Sequence, residues 1–251
     1  MAQGPEVAAL YPQPKGEGGD DYLFTAQRYW CSWNSFYGGA LFAALIGAME
    51  RSAGLPLLSA NAQFLGLVVE NDELEISAER LAGGKSTAQM RASAMRGGAA
   101  VVSANAALGR FAVEATPGAV FPEVPAPEDS PPRVSLNPVR GGLNDSLDAR
   151  LASVENPRVR YWVRCPAAAG EPLAAPILAA LSDYPPPAVT VLLGGEAFGV
   201  TLDASLRVTA PLEQHDAGGW ALVDVHFDAL LTPFAFATRS EEHTSELQSQ
   251  R

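Results

Sequence analysis

The chain has 251 residues, 47% hydrophobic and 18% charged, enough for one large domain or two small ones with an ordinary core. Its 17 Lys and Arg against 28 Asp and Glu give a formal charge of -11, which speaks against nucleic-acid binding because that needs a basic footprint. An anionic small ligand is still compatible with it, because a local Arg cluster can act against the global field.

In chain order, Met1 to Gly19 is rich in Gly, Pro and Glu. It lacks a basic-then-apolar leader and is expected to be a flexible N-terminus. Tyr22 to Trp33 reads as a first strand. Gly38-Gly39 opens a helix from Ala40 to Ser52 that Gly54-Leu55-Pro56 ends. The helix is rich in Ala and Gly with no fully polar face, as expected of a buried helix. Four strands follow, over 58–69, 73–82, 85–95 and 99–108. Leu74, Ile76 and Ala78 alternate with Glu73, Glu75 and Glu79, and glycine pairs mark two of the turns.

Residues 116–157 open with seven prolines between 117 and 138 and read as a semi-rigid linker. A short amphipathic segment within it, 143–154, has no clear place. Val159 to Cys165 then begins a second unit, with a helix from Pro172 to Asp183 that Pro185-Pro186-Pro187 stops. Val189 to Leu193 is a short apolar stretch. Strands over 198–209 and 220–228 follow, and Pro233 begins another. Residues 239–251 break this pattern and look like a translated sequencing adapter, so the second unit is expected to be incomplete.

The triplet Arg-Tyr-Trp occurs at 28–30 and again at 160–162, each copy followed by a small-residue helix and strands. With four Trp in the chain, the recurrence suggests an internal duplication whose first strands carry the triplet. Cys31 and Cys165 follow the two copies without metal-ligand or CxxC spacing, and read as buried free thiols. No apolar run is long enough to cross a bilayer as a helix. A cytoplasmic protein that does not engage membranes is expected.

Strand, buried helix and a wrapping meander, twice over, is an α+β double hotdog: two antiparallel sheets, each around a helix, packed as a pseudo-dimer. The expected units are 20–115 and 158–238. Four motifs make the chain resemble the type II acyl-CoA thioesterase family: Phe36-Tyr-Gly-Gly-Ala40, Arg80-Leu-Ala-Gly-Gly-Lys-Ser-Thr87, Ala180-Leu-Ser-Asp-Tyr184 and Thr201-Leu-Asp203. The resemblance implies hydrolysis of acyl-CoA by water, without a covalent nucleophile, cofactor or metal. It places the catalytic carboxylate on Asp183 and a hydroxyl partner on Thr201. The family's third polar residue is a Gln on a final strand. Gln248 lies in the adapter-like tail and does not match it. The resemblance also implies a tendency to form homo-oligomers, which an unpaired sheet edge would favour.

The chemistry needs an activated water and donors for a developing oxyanion. Gly38 and Gly39 would let a substrate approach the N–H groups of the helix start, and Gly39 and Asp183 are expected to converge from opposite halves. Glu50 reads as a cap-region or surface charge. Arg80, Lys85 and Arg91 could contact CoA phosphates or simply be surface charge. His215 and His226 lack triad or metal spacing. The alternative is a non-catalytic acyl-thioester-binding hotdog protein. A hotdog hydratase would need a His that 172–187 lacks.

Overall fold

The structure, a computed structural model, describes residues 10–15, 19–32, 35–110, 122–134, 140–183, 185–193, 201–231 and 234–239. The first half comprises β1 (Gln13–Pro14), β2 (Asp21–Thr25), β3 (Cys31–Ser32), β4 (Ser35–Phe36), α1 (Gly38–Ala53), β5 (Leu57–Phe64), β6 (Glu73–Gly83), β7 (Thr87–Arg96) and β8 (Ala99–Gly109). The second comprises α2 (Leu143–Ser146), β9 (Asp148–Glu155), β10 (Arg158–Arg164), α3 (Ala175–Ser182), α4 (Pro185–Leu192), β11 (Asp203–Arg207), β12 (Ala221–Leu231) and β13 (Phe234–Arg239). The large sheet has the order β1-β2-β6-β7-β8-β5-β11 and the second β13-β12-β10-β9. Every pairing is antiparallel.

The double hotdog is thus present. Helix α1 is buried from Gly39 to Met49, and β5 to β8 wrap it. The period-two pattern puts Leu74, Ile76 and Ala78 of β6 and Ala88, Met90, Ala92 and Ala94 of β7 into the core. The β7–β8 turn runs through Gly97 and Gly98, with φ of 56° and 85°, the left-handed geometry a tight hairpin requires. Gly54, at φ 65°, ends α1 in the same way. Helices α1 and α3 pack against each other, so the two cores merge into one.

Several expectations change. The segment read as one strand from Tyr22 to Trp33 is β2, then a 3-10 turn at Arg28–Trp30, then β3. The first Arg-Tyr-Trp therefore lies in a turn and the second inside β10. The duplication holds for the topology, but the triplet does not mark equivalent strands. Most of the N-terminus expected to be flexible, 1–9 and 16–18, lies outside the described residues; of those described, Leu10 is buried, and Tyr11 packs on α1 where Gly47 leaves room for its ring. The proline-rich stretch is more than a spacer. Its residues 148–155 form β9, and Arg133 and Leu151 tie 131–133 to that strand's edge. Trp162 donates to the Pro125 carbonyl at 2.8 Å, so the connector covers the outer face of the second sheet.

Helix α3 starts at Ala175, with Pro176 rather than Pro172 in its first turn. The three prolines end α3 and at once begin α4, which takes in the apolar stretch 189–193 up to Leu192. Strand β11 is shorter than expected and pairs with β5 of the first half. The adapter-like tail beyond Arg239, with Gln248, lies outside the described residues.

Glu50 is the cap-region charge of the two readings and not a freely exposed one. It accepts the Leu57 N–H at 2.8 Å, closing the turn after α1. Burial raises its carboxyl from 4.5 to about 7, against the lowering effect of that hydrogen bond. A raised acid binds its proton more tightly in the folded state, so its contribution to stability falls as pH rises from about 4.5 to 7. Glu50→Gln keeps an acceptor and carries no charge. Denaturation at pH 8 should show it more stable by on the order of 2 kcal/mol, and the difference should vanish near pH 4.5.

Candidate active site

The N-terminal end of α1 meets the C-terminal end of α3. Asp183 sits between α3 and α4, with φ -85° and ψ 62°, because Pro185 and the prolines after it cannot continue α3. Its side chain is drawn back onto the first half. Oδ2 accepts the Gly39 N–H at 2.8 Å and Oδ1 accepts the Thr201 hydroxyl at 3.0 Å. The residue is 8% exposed. A carboxylate on the N-terminal turn of a 16-residue helix lies where backbone N–H groups and the helix dipole stabilise negative charge.

Both glycines are required sterically. A Cβ at Gly39 would lie 2.9 Å from Asp183 Cβ, 2.9 Å from Tyr37 Cε1 and 3.0 Å from the Ala179 carbonyl. One at Gly38 would lie 2.9 Å from Asp183 Oδ2 and 3.4 Å from the Phe64 ring. Gly39→Ala should therefore push the two helix ends apart. We expect a loss of about 1–3 kcal/mol in a chemical melt, from overpacking against backbone. Loss of the Gly39–Asp183 bond should accompany it, read as a displaced Asp183 in a crystal structure of the variant.

Asp183, Thr201, Gly38 and Gly39 are thus brought together by the fold. Gly39 differs in one respect from what its sequence position suggests: its N–H is taken by Asp183 instead of standing open. Thr201 precedes β11 and is placed by that strand, since Phe64 N–H donates to the Leu202 carbonyl at 2.9 Å. Two neighbours had no assigned role: Phe64, against Gly38, and Tyr37, whose hydroxyl donates to the Asp183 main-chain carbonyl. The hydroxyl beside a glycine pair at a buried helix start was the available signal for Tyr37.

The other candidates lie elsewhere. Arg80 donates to the Ala53 carbonyl at 3.1 Å, at the opposite end of α1, roughly 22 Å along the helix from Gly38. Arg91 faces Glu79 across β6 and β7 on the exposed side. Cys31 and Cys165 are buried free thiols, and burial raises both, Cys31 to about 11, so neither offers a thiolate. Among the described residues no helix is long and apolar enough to cross a membrane, and no His, Cys, Asp or Glu cluster could hold a metal.

Comparison with other proteins places this double hotdog in a known class. Residues 26–109 match the acyl-CoA thioesterase N-terminal domain and residues 120–230 the acyl-CoA thioesterase C-terminal domain. The chain belongs to the type II acyl-CoA thioesterase family. Among solved structures, it is similar to a candidate thioesterase from Novosphingobium aromaticivorans, with 27% identity and a TM-score of 0.78, covering 89% of this chain and 88% of that one. It shares its fold with the tesB protein of Mycobacterium avium subs. paratuberculosis (20% identity, TM-score 0.72, coverage 93% and 89%). The acyl-CoA thioesterase II TesB2 of Mycobacterium marinum also has this fold (19% identity, TM-score 0.69, coverage 92% and 89%). No curated protein matches the chain.

Proposed function

We propose that the chain hydrolyses acyl-CoA thioesters, with Asp183 as the base that orients and deprotonates the attacking water and Thr201 as its hydroxyl partner. The observation that carries this reading is the placement of Asp183: one buried carboxylate held from two sides, by Gly39 N–H and Thr201 Oγ1, where the halves meet. Water adds to the thioester carbonyl carbon and its proton passes to the carboxylate. The tetrahedral oxyanion then collapses, the C–S bond breaks, and the CoA sulfur leaves with a proton returned to it. The helix start at Gly38 is where the substrate carbonyl is proposed to sit, its growing negative charge facing the positive end of α1. The substrate class follows from family membership, and acyl-CoA is the proposed partner.

The test is CoA release from a series of acyl-CoAs, acetyl to palmitoyl, followed with a thiol reagent. Turnover above background on at least one of them supports the reading. Tight binding by calorimetry with no turnover would replace it with an acyl-thioester binder.

A further inference from the structure

We propose that Tyr37 is a positioning residue for Asp183, a role that rests on the hydrolase reading of the site. Tyr37 stands at the N-cap of α1, in extended conformation with φ -69° and ψ 130°. Its main chain is pinned on both sides. The N–H donates to the Trp30 carbonyl at 2.8 Å, and its carbonyl accepts from Ala40 and Leu41 at 3.1 and 3.2 Å. The ring turns back over Gly39, leaving no room there for a Cβ. That turn carries the hydroxyl across to the other half, where it donates to the Asp183 main-chain carbonyl in a buried hydrogen bond.

This carbonyl takes a donor from the other half of the chain. It lies at the C-cap of α3, where the last carbonyls of a helix have no partner further along it. The chain then runs into Pro185, Pro186 and Pro187, which have no N–H to give. Tyr37 supplies the donor. In doing so it fixes the backbone from which the Asp183 side chain springs, and with it the direction of both carboxylate oxygens toward Gly39 N and Thr201 Oγ1. The hydroxyl touches the main chain of Asp183 and acts on the reaction only through that residue. A phenylalanine would fill the same ring space, so the hydroxyl's contribution is orientation, separable from packing.

The experiment compares Tyr37→Phe with a protein carrying 4-aminophenylalanine at position 37, which restores an N–H donor. Two quantities are read: the kcat and KM for acyl-CoA, and the Gly39 amide signal in a proton–nitrogen correlation spectrum. Tyr37→Phe should lower kcat about tenfold to a hundredfold with KM little changed, because the base is misaimed and not removed. Its Gly39 amide should move upfield and exchange faster as the bond to Oδ2 loosens. The amino variant should recover most of both. Wild-type kcat and an unmoved Gly39 amide in Tyr37→Phe would overturn the proposal, as would an amino variant no better than Phe. If the wild-type protein releases no CoA from any acyl-CoA, the hydrolase reading fails by itself, and the Gly39 amide alone decides the positioning role. Should Tyr37→Phe not fold, 4-fluorophenylalanine, which fills the hydroxyl's space without donating, takes its place with the same losses expected.

Discussion

Asp183→Asn should cut the turnover of acyl-CoA by about a hundredfold to ten-thousandfold, the range a general base contributes, while leaving the fold in place. The substitution preserves shape. An amide oxygen can still accept the Gly39 N–H that now goes to Oδ2. What it cannot do is take a proton from water. The expected signature is therefore a collapse of kcat with an unchanged melting curve, measured as CoA release alongside thermal unfolding. If Asp183→Asn turns over at the wild-type rate, the carboxylate is an architectural clamp between the halves and the base lies elsewhere.

The largest stability effect is expected in the second sheet. Asp224 of β12 has a side chain that is fully buried, and it faces Arg160 of β10 in register. Arg160 Nε lies 3.1 Å from Asp224 Oδ2, and Arg158 Nε lies 3.3 Å from Oδ1. Arg160 also donates to Ser153 Oγ at 3.0 Å and to Glu155 at 2.9 Å. Removing Asp224 leaves the buried Arg160 guanidinium with Glu155, a largely exposed carboxylate, as its remaining ion-pair partner in the cluster. Asp224→Ala should thus cost about 3–5 kcal/mol, measured by urea unfolding. Replacing Asp224 and Arg160 together by apolar residues of similar size should recover much of this, since the cost of the single change is a buried guanidinium that has lost its buried partner. A single variant as stable as the wild type would show that Arg160 can reach water.

The fold was legible wherever one face of an element is wet. Strands β6 and β7 alternate, and their burial follows the alternation over 73–78 and 87–94, while 79–83 at the end of β6 are exposed throughout. The helix α1 was legible for the opposite reason, because it has no wet face. What the sequence hid depends on long-range pairing. Nothing local tells β11 to join β5 of the other half, or makes 148–155 a strand when a proline-rich run precedes it. The two Arg-Tyr-Trp triplets misled because identical residues met different surroundings. Arg160 is buried in an ion cluster inside a strand, while Arg28 is exposed in a turn and pairs with Glu70. In the candidate site, Asp183 and Thr201 came from the family resemblance, and the fold places them 3.0 Å apart. Tyr37 went unassigned because a hydroxyl's partner cannot be read when it lies 146 positions away.

The pairing of β5 with β11 has a bearing on how this site can change over time. Thr201 enters from the strand that crosses between halves, Asp183 from one helix, and its anchor at Gly39 from the other. Neither half carries the full set of proposed site residues. On the proposed reading the two hotdog units are therefore not independent modules. A substitution that shifts the seam would also shift the proposed site, so a change tolerated in one hotdog unit has to be tolerated by the other as well.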